Sequence, residues 1–194
     1  MNKRIIASIL GGCFAVSAVP ALAAVPSEAA GTRFEEAVSV LSAFSIMNGD
    51  ENGLYRLDDT IIRSEVTKMA VTAMGMQDAA DNAKGPQNFD DVGTDHWANG
   101  YINLAVSLGL VEGDGDGNFR PNDEISYREA VAIMVRAAGY ETKAQRLGGY
   151  PSGHLSVAND NKMTKSVEGG VNDPISRGDV AILTNNTLET KKME

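Results

Sequence analysis

The sequence has one cysteine, Cys13, and it lies in an apolar stretch near the start of the chain. No intramolecular disulfide is available, so the fold rests on its core alone. Aromatic residues make up only 6%, with one tryptophan, which leaves Ala, Val, Leu and Met to build that core. The two histidines, His96 and His154, are not at metal-ligand spacing with each other. A Gly-x-Ser-x-Gly elbow and a phosphate-binding Gly-Lys-Ser/Thr loop are both missing, so an enzyme reading has little to hold. A carboxylate pair for glycan hydrolysis is conceivable among 26 acids, yet no pair stands out. Positive charge is also scarce, with 17 Lys and Arg against those 26 Asp and Glu. Such a balance disfavours nucleic acid and anionic lipid as partners.

Long hydrophobic runs are absent except at residues 5–19. Lys3 and Arg4 precede that run, and Pro20 and the small-residue site Ala21-Leu22-Ala23 follow it. This is the pattern of a secretory signal peptide over residues 1–23, cut after Ala23. An uncut membrane anchor needs roughly 20 uninterrupted apolar residues, and Gly11, Gly12 and Pro20 interrupt this one. Leu10-Gly11-Gly12-Cys13 loosely resembles a lipoprotein cleavage site, but only residues 5–10 form the apolar stretch before Cys13. Cleavage leaves 15 cations against 26 carboxylates and no thiol, and it leaves no membrane partner.

What the chain does contain is an internal repeat. Shifting it by 64 residues lays Gly113, Asp114, Gly117, Arg120, Asp123, Ile125 and Glu129 over Gly49, Asp50, Gly53, Arg56, Asp59, Ile61 and Glu65, seven identities in 17 positions. A third, weaker copy places Tyr150 over Trp97 and Ile175-Ser176-Arg177-Gly178-Asp179 over Ile125-Ser126-Tyr127-Arg128-Glu129. Each copy reads as helix, glycine-aspartate loop, helix. Phe34, Ala37, Val38, Leu41 and Phe44 have helical spacing within residues 32–47, and Val66, Met69, Ala70 and Ala73 within residues 63–74. The second copy repeats this at residues 97–110 and 127–138, and the third ends in a helix over residues 177–188. Its first helix is expected to be short, because Asn159-Asp160-Asn161-Lys162 is polar all round. The division is a first unit at residues 24–76, a polar linker at 77–88, a second unit at 89–140 and a third at 141–194. One such helix pair cannot bury its own apolar face, and three stacked around an axis can. The fold class is therefore all-α.

The second helices start on marked residues. Ser126-x-x-Glu129 is a capping box, and Ser176-x-x-Asp179 repeats it with a shorter acid. The first copy has Ile62 at the cap and Glu65 alone, a loss on the order of 1 kcal/mol. Arg63 and Arg177 follow the cap, where a cation opposes the helix macrodipole. An arginine fork beside free helix N–H groups makes an anion-binding corner. The competing reading is a surface arginine paired to a nearby carboxylate.

Phe89-x-Asp91-Val92, Trp97-Ala98, the loop Gly113-Asp114-Gly115-Asp116-Gly117-Asn118-Phe119-Arg120-Pro121 and Ile125-Ser126 with Glu129 together resemble the S-layer homology domain. The resemblance covers nearly all of residues 32–190 as three modules of clostridial type. It implies a pseudo-threefold, three-pronged bundle that is non-catalytic and needs no cofactor or metal. The implied partner is a pyruvylated secondary cell-wall polysaccharide attached to peptidoglycan, bound in grooves between modules and holding the protein to a Gram-positive wall. The family's key arginine maps onto Arg63 and Arg177. The second unit has Tyr127 there, with Arg128 one step, about 100°, further round the helix. Family Asp and Trp positions map onto Asp91 and Trp97. The first unit lacks both, with Arg33 in place of the tryptophan, and the third has Tyr150. An exposed Trp97 would stack on a sugar ring, and the alternative is a core tryptophan. A second reading treats Asn48-x-Asp50-x-Asn52-Gly53 with Asp59 as a calcium loop of a dockerin-like assembly module. The second loop breaks that pattern, with Phe119 at the required glycine position and Ile125 at the terminal ligand position.

Overall fold

The computed structural model describes residues 25–86 and 89–190. The predicted signal peptide and Cys13 lie outside them. Eight helices are present among the described residues: α1 Glu35–Ala43, α2 Arg63–Ala73, α3 Gln77–Asn82, α4 Asn99–Ser107, α5 Tyr127–Ala137, α6 Glu141–Arg146, α7 Ser152–Asp160 and α8 Arg177–Glu189. No strand occurs there, only three isolated antiparallel bridges. The all-α expectation holds. None of these helices is long and apolar enough to cross a membrane.

Two local expectations change. The stretch taken as linker contains α3, whose polar sequence suits a helix that touches the protein on one side only, through buried Ala80. The third unit's first helix is not short: α7 has nine residues, as many as α1 and α4. Its inner face carries His154, Val157 and Ala158, all fully buried. The polar residues that suggested a short helix belong to its exposed C-terminal turn.

The units are joined by backbone hydrogen bonds running in one direction around a ring. Ile61 N–H donates to Ile175 O (3.2 Å), Ile175 N–H to Ile125 O (3.1 Å) and Ile125 N–H to Ile61 O (3.1 Å). Each isoleucine is buried to within 1%, so the ring lies in the core, where unpaired amides would be costly. Below it α2, α5 and α8 pack on one another pairwise. Ala70, Met134 and Thr184, fully buried, occupy equivalent positions on these helices, and the Thr184 hydroxyl lies 3.9 Å from Met134 Sδ.

The helices of one repeat do not pack on each other. Instead α4 packs on α2, α7 on α5 and α1 on α8. Each prong thus pairs the second helix of one unit with the first helix of the next, and α8 with α1 closes the circle. The short helices α3 and α6 lie on α4 and α7. A Cβ on Gly100 would sit 2.1 Å from Ala80 O, and one on Gly153 2.1 Å from Ala144 O. Only glycine allows backbone to approach backbone so closely.

Candidate functional site

Each second helix begins where three units meet, and its first amides are already engaged. The Arg63, Tyr127 and Arg177 N–H groups donate to the carbonyls of Asp123, Asp173 and Asp59, at 2.9–3.0 Å. Ser64, Arg128 and Gly178 N–H donate to Pro121, Val171 and Leu57. The free N–H corner expected from the sequence is therefore not there, because the neighbouring loop satisfies these donors. The caps hold with variations. Ser126 N–H donates to Glu129 at 2.9 Å, and Ser176 Oγ accepts from Asp179 N–H at 3.0 Å. In the first unit Glu65 still accepts the Ile62 N–H at 3.3 Å, so half of that box survives without a side-chain cap.

The arginines reach across unit boundaries in matched fashion. Arg63 Nε donates to Phe119 O (3.0 Å) and Nη1 to Glu129 (3.4 Å). Arg177 Nε donates to Tyr55 O (2.9 Å) and Nη1 to Glu65 (2.6 Å). Each side chain is 17% exposed. The carboxylate partners expected by the plainer reading are thus present, and they are the capping-box acids of the next helix.

The repeat gives three equivalent positions, or clefts, at the unit boundaries, and a hollow is found at the first. In the first, Arg177 and Glu65 face Lys68 and Trp97, beside residues 46–49, around a hollow of about 230 Å³. Trp97 is 50% exposed, so it is no core tryptophan. Lys68 escaped the sequence reading, although it is the one cation at a position filled by Ala132 and Ile182 in the other copies. In the second cleft Arg63 and Glu129 lie near Tyr150, itself 45% exposed, and the Arg128 guanidinium stands 5.9 Å from the Tyr150 ring. Arg128 therefore does enter a groove, that of Arg63 rather than that of Tyr127. Burial, with the Glu129 charge, pushes the Tyr150 phenol up.

The third cleft is closed. Arg33, standing where Trp97 and Tyr150 stand elsewhere, grips Asp179 with both terminal nitrogens at 2.8 and 2.9 Å. The Glu168 N–H also donates to Asp179 (2.8 Å), and Arg33 covers the Phe34 ring at 4.2 Å. Burial works against the Asp179 charge, yet Arg33, the Glu168 amide and Ser176 outweigh it and hold the carboxyl below its usual range. Tyr127 faces the same acid and hydrogen-bonds Thr164, and burial raises its phenol.

Asp91 is committed elsewhere. Its two oxygens accept the Phe119 and Arg120 N–H groups at 2.9 and 2.7 Å, which pins the glycine-aspartate loop. The first unit has an equivalent that the register hid. Glu28, one residue out of step, accepts the Tyr55 and Leu57 N–H groups at 2.6 and 2.9 Å. The loops themselves close on arginine. Asp50 binds Arg56 Nε at 2.8 Å, Asp114 binds Arg120, and Asp116 binds Arg120 Nη2 at 2.9 Å. The Leu54 N–H and Arg56 lower the Asp50 carboxyl. These guanidiniums occupy the charge a calcium ion would neutralise, and no group of three or more His, Cys, Asp or Glu suited to a metal occurs among the described residues.

Comparison with known proteins agrees with this architecture. The family model of the S-layer homology domain matches residues 88–131, and the chain is an S-layer homology domain protein of the secreted, cell-surface class. It is 31% identical over 99% of its length to the middle cell wall protein of Brevibacillus brevis, covering 18% of that protein. It is 34% identical over 80% of its length to a cell surface protein of Thermoanaerobacter kivui, covering 20% of it. Relatives also include an exoglucanase, XynX of Acetivibrio thermocellus, 32% identical over 53% of this chain and 9% of that one. The chain thus spans a fifth or less of each of these relatives.

Proposed function

We propose that this chain is a non-catalytic cell-surface anchoring unit of three tandem S-layer homology modules arranged with pseudo-threefold symmetry. Its ligand is the anionic, pyruvylated secondary polysaccharide of the wall, held in the clefts between modules. The observation that carries the reading is the Arg177 cleft, where two cations and a half-exposed tryptophan converge in a chain otherwise rich in acid. A guanidinium and an ammonium give a bound carboxylate two donors of different reach, and the indole face offers a sugar ring a stacking surface. The Arg63 cleft repeats the chemistry with Arg128 and Tyr150. The third cleft has Tyr127 where the others have arginine, and Arg33, in place of the exposed aromatic ring, is held by both oxygens of Asp179; on this reading it takes no ligand. The protein therefore binds through two grooves.

The test is co-sedimentation with purified cell-wall sacculi, before and after acid extraction of the secondary polymer. Extraction abolishes pelleting on this reading. Pelleting indifferent to extraction refutes it. Loss of pelleting on adding a chelator would favour the calcium alternative.

A further inference from the structure

Two of the three prongs carry a short helix at their outer end, α3 on Gly100 and α6 on Gly153. The repeat register puts Glu36 at the corresponding position of α1. No helix lies between α1 and α8 among the described residues, and a cleft of about 320 Å³ opens there. Glu36, Lys162, Lys165, Asn185, Asn186 and Glu189 line it.

The lining departs from the repeat in a consistent direction. Asn185 stands where α2 and α5 have Val71 and Val135, both fully buried. It is 7% exposed, and its amide has no hydrogen-bond partner among the described residues. The amide is not sealed off from solvent and opens to the cleft, where a valine would present no polar atom. Lys162, Lys165, Glu36 and Glu189 have no ion-pair partner among the described residues either. Lys162 also adopts φ +61°, where the second unit has Gly109 at +67°. The cleft extends away from the closed third groove, which it borders at Lys165, next to the Ser166 carbonyl that Arg33 binds: its far end, Glu189, is ten residues beyond Asp179, about 15 Å along the helix.

We propose that this cleft is a second binding site, for a neutral sugar of one or two rings. The volume is in the range of small-ligand sites. Two ammonium groups and two carboxylates leave no net charge to select an ion, while they and the Asn185 amide present donors and acceptors to neighbouring hydroxyls; the Asn186 amide is held by the Met163 and Lys165 carbonyls at 2.9 and 2.8 Å and fixes that edge of the cleft. The matching slots of the other prongs, which hold a packed helix, are lined by glycine and valine. Glu36 and Asn185 make this slot unfit for the same occupant.

The test is a ¹⁵N NMR titration with glucose, N-acetylglucosamine and its β-1,4-linked disaccharide, and separately with inorganic phosphate. Saturable shifts are expected with at least one sugar at the amides of Lys162, Lys165, Asn185 and Asn186, with millimolar dissociation constants. Asn185→Val, a residue the fold accepts in the other two copies, should weaken this binding about tenfold or more. Trp97→Ala should leave the cleft shifts in place, which separates this proposal from the groove reading. The proposal is overturned by shifts confined to the surroundings of Trp97 and Tyr150, by response to phosphate alone, by no response to any sugar, or by an unchanged affinity in Asn185→Val. Contacts from residues 191–194 to Asn185 in the free protein would overturn it too.

Discussion

Removing Arg33 tests whether the third groove is a clasp rather than a binding site. The Arg33–Asp179 pair is bidentate at 2.8 and 2.9 Å, and its acid is 6% exposed. Deleting one partner of a buried pair costs about 3–5 kcal/mol, mostly from the charge left behind. Two features reduce that here. Arg33 is itself 34% exposed, so solvent already screens part of the interaction. Asp179 also keeps Ser176 and the Glu168 amide as donors. Arg33→Ala should therefore cost about 2–3 kcal/mol, or about 4–12 °C in Tm for a chain of this size. Arg33→Lys should recover only part of it, because an ammonium cannot span both oxygens. The pH dependence sharpens the test. The folded carboxyl titrates below its usual range, so its contribution is complete above the unfolded value of about 3.9 and is lost as pH falls through the folded value. Urea unfolding should show a gap between wild type and variant that is constant at roughly pH 6–8 and closes in acid. A gap under about 0.5 kcal/mol, the range of ordinary surface changes, or one that persists fully in strong acid, refutes the reasoning. Binding to sacculi should survive the substitution once the folded fraction is corrected for.

Further outcomes are expected elsewhere. Arg63→Ala and Arg177→Ala should each reduce binding to sacculi more than Arg128→Ala, and equal losses in a pelleting assay would contradict that ranking. Ile125→Ala, in the fully buried ring, should cost about 2–5 kcal/mol by chemical denaturation, and a loss below 1 kcal/mol would place the core elsewhere. Gly153→Ala should destabilise markedly, since its Cβ would meet Ala144 O at 2.1 Å; an unchanged Tm would mean that α6 does not lie on α7. Calcium should leave Tm unchanged, because a ligand specific to the folded state would raise it, and a dose-dependent rise would revive the calcium-loop reading.

Much of the candidate site was legible because its residues are unusual for their positions. Arg63 and Arg177 stood out as cations in first helical turns, and Trp97 as the one tryptophan. Lys68 and Glu65 were harder to read, since a charge on a helix face is ordinary until the neighbouring unit is in place. Glu28 was hidden by a one-residue offset: a longer side chain starting one position later reaches the Tyr55 amide, equivalent to the Phe119 amide that Asp91 binds, and with its other oxygen the Leu57 amide, where the second unit has Pro121. Arg33 was identified as an exception to the aromatic pattern, but its bond to Asp179 joins residues 146 apart in the chain, beyond any local rule.

The sequence by itself determined the main helices of each unit, though not the short α3 and α6, together with the repeat and the acidic balance, because periodicity, caps and composition act within a turn or two of chain. The tertiary structure alone decided which helices pair. The spacing gave helix, loop and helix in each unit without saying which helices pack; α4 packs on α2 and α7 on α5, across the repeat boundaries, with α1 on α8 closing the circle. That choice follows from the ring at Ile61, Ile125 and Ile175. Once three loops exchange backbone hydrogen bonds about one axis, each second helix presents its outer face to the next unit's first helix. The same exchange consumes the helix N-terminal amides and sends each arginine to its neighbour's capping acid. Which clefts stay open and which one locks was therefore settled between units, where one-dimensional patterns carry no information.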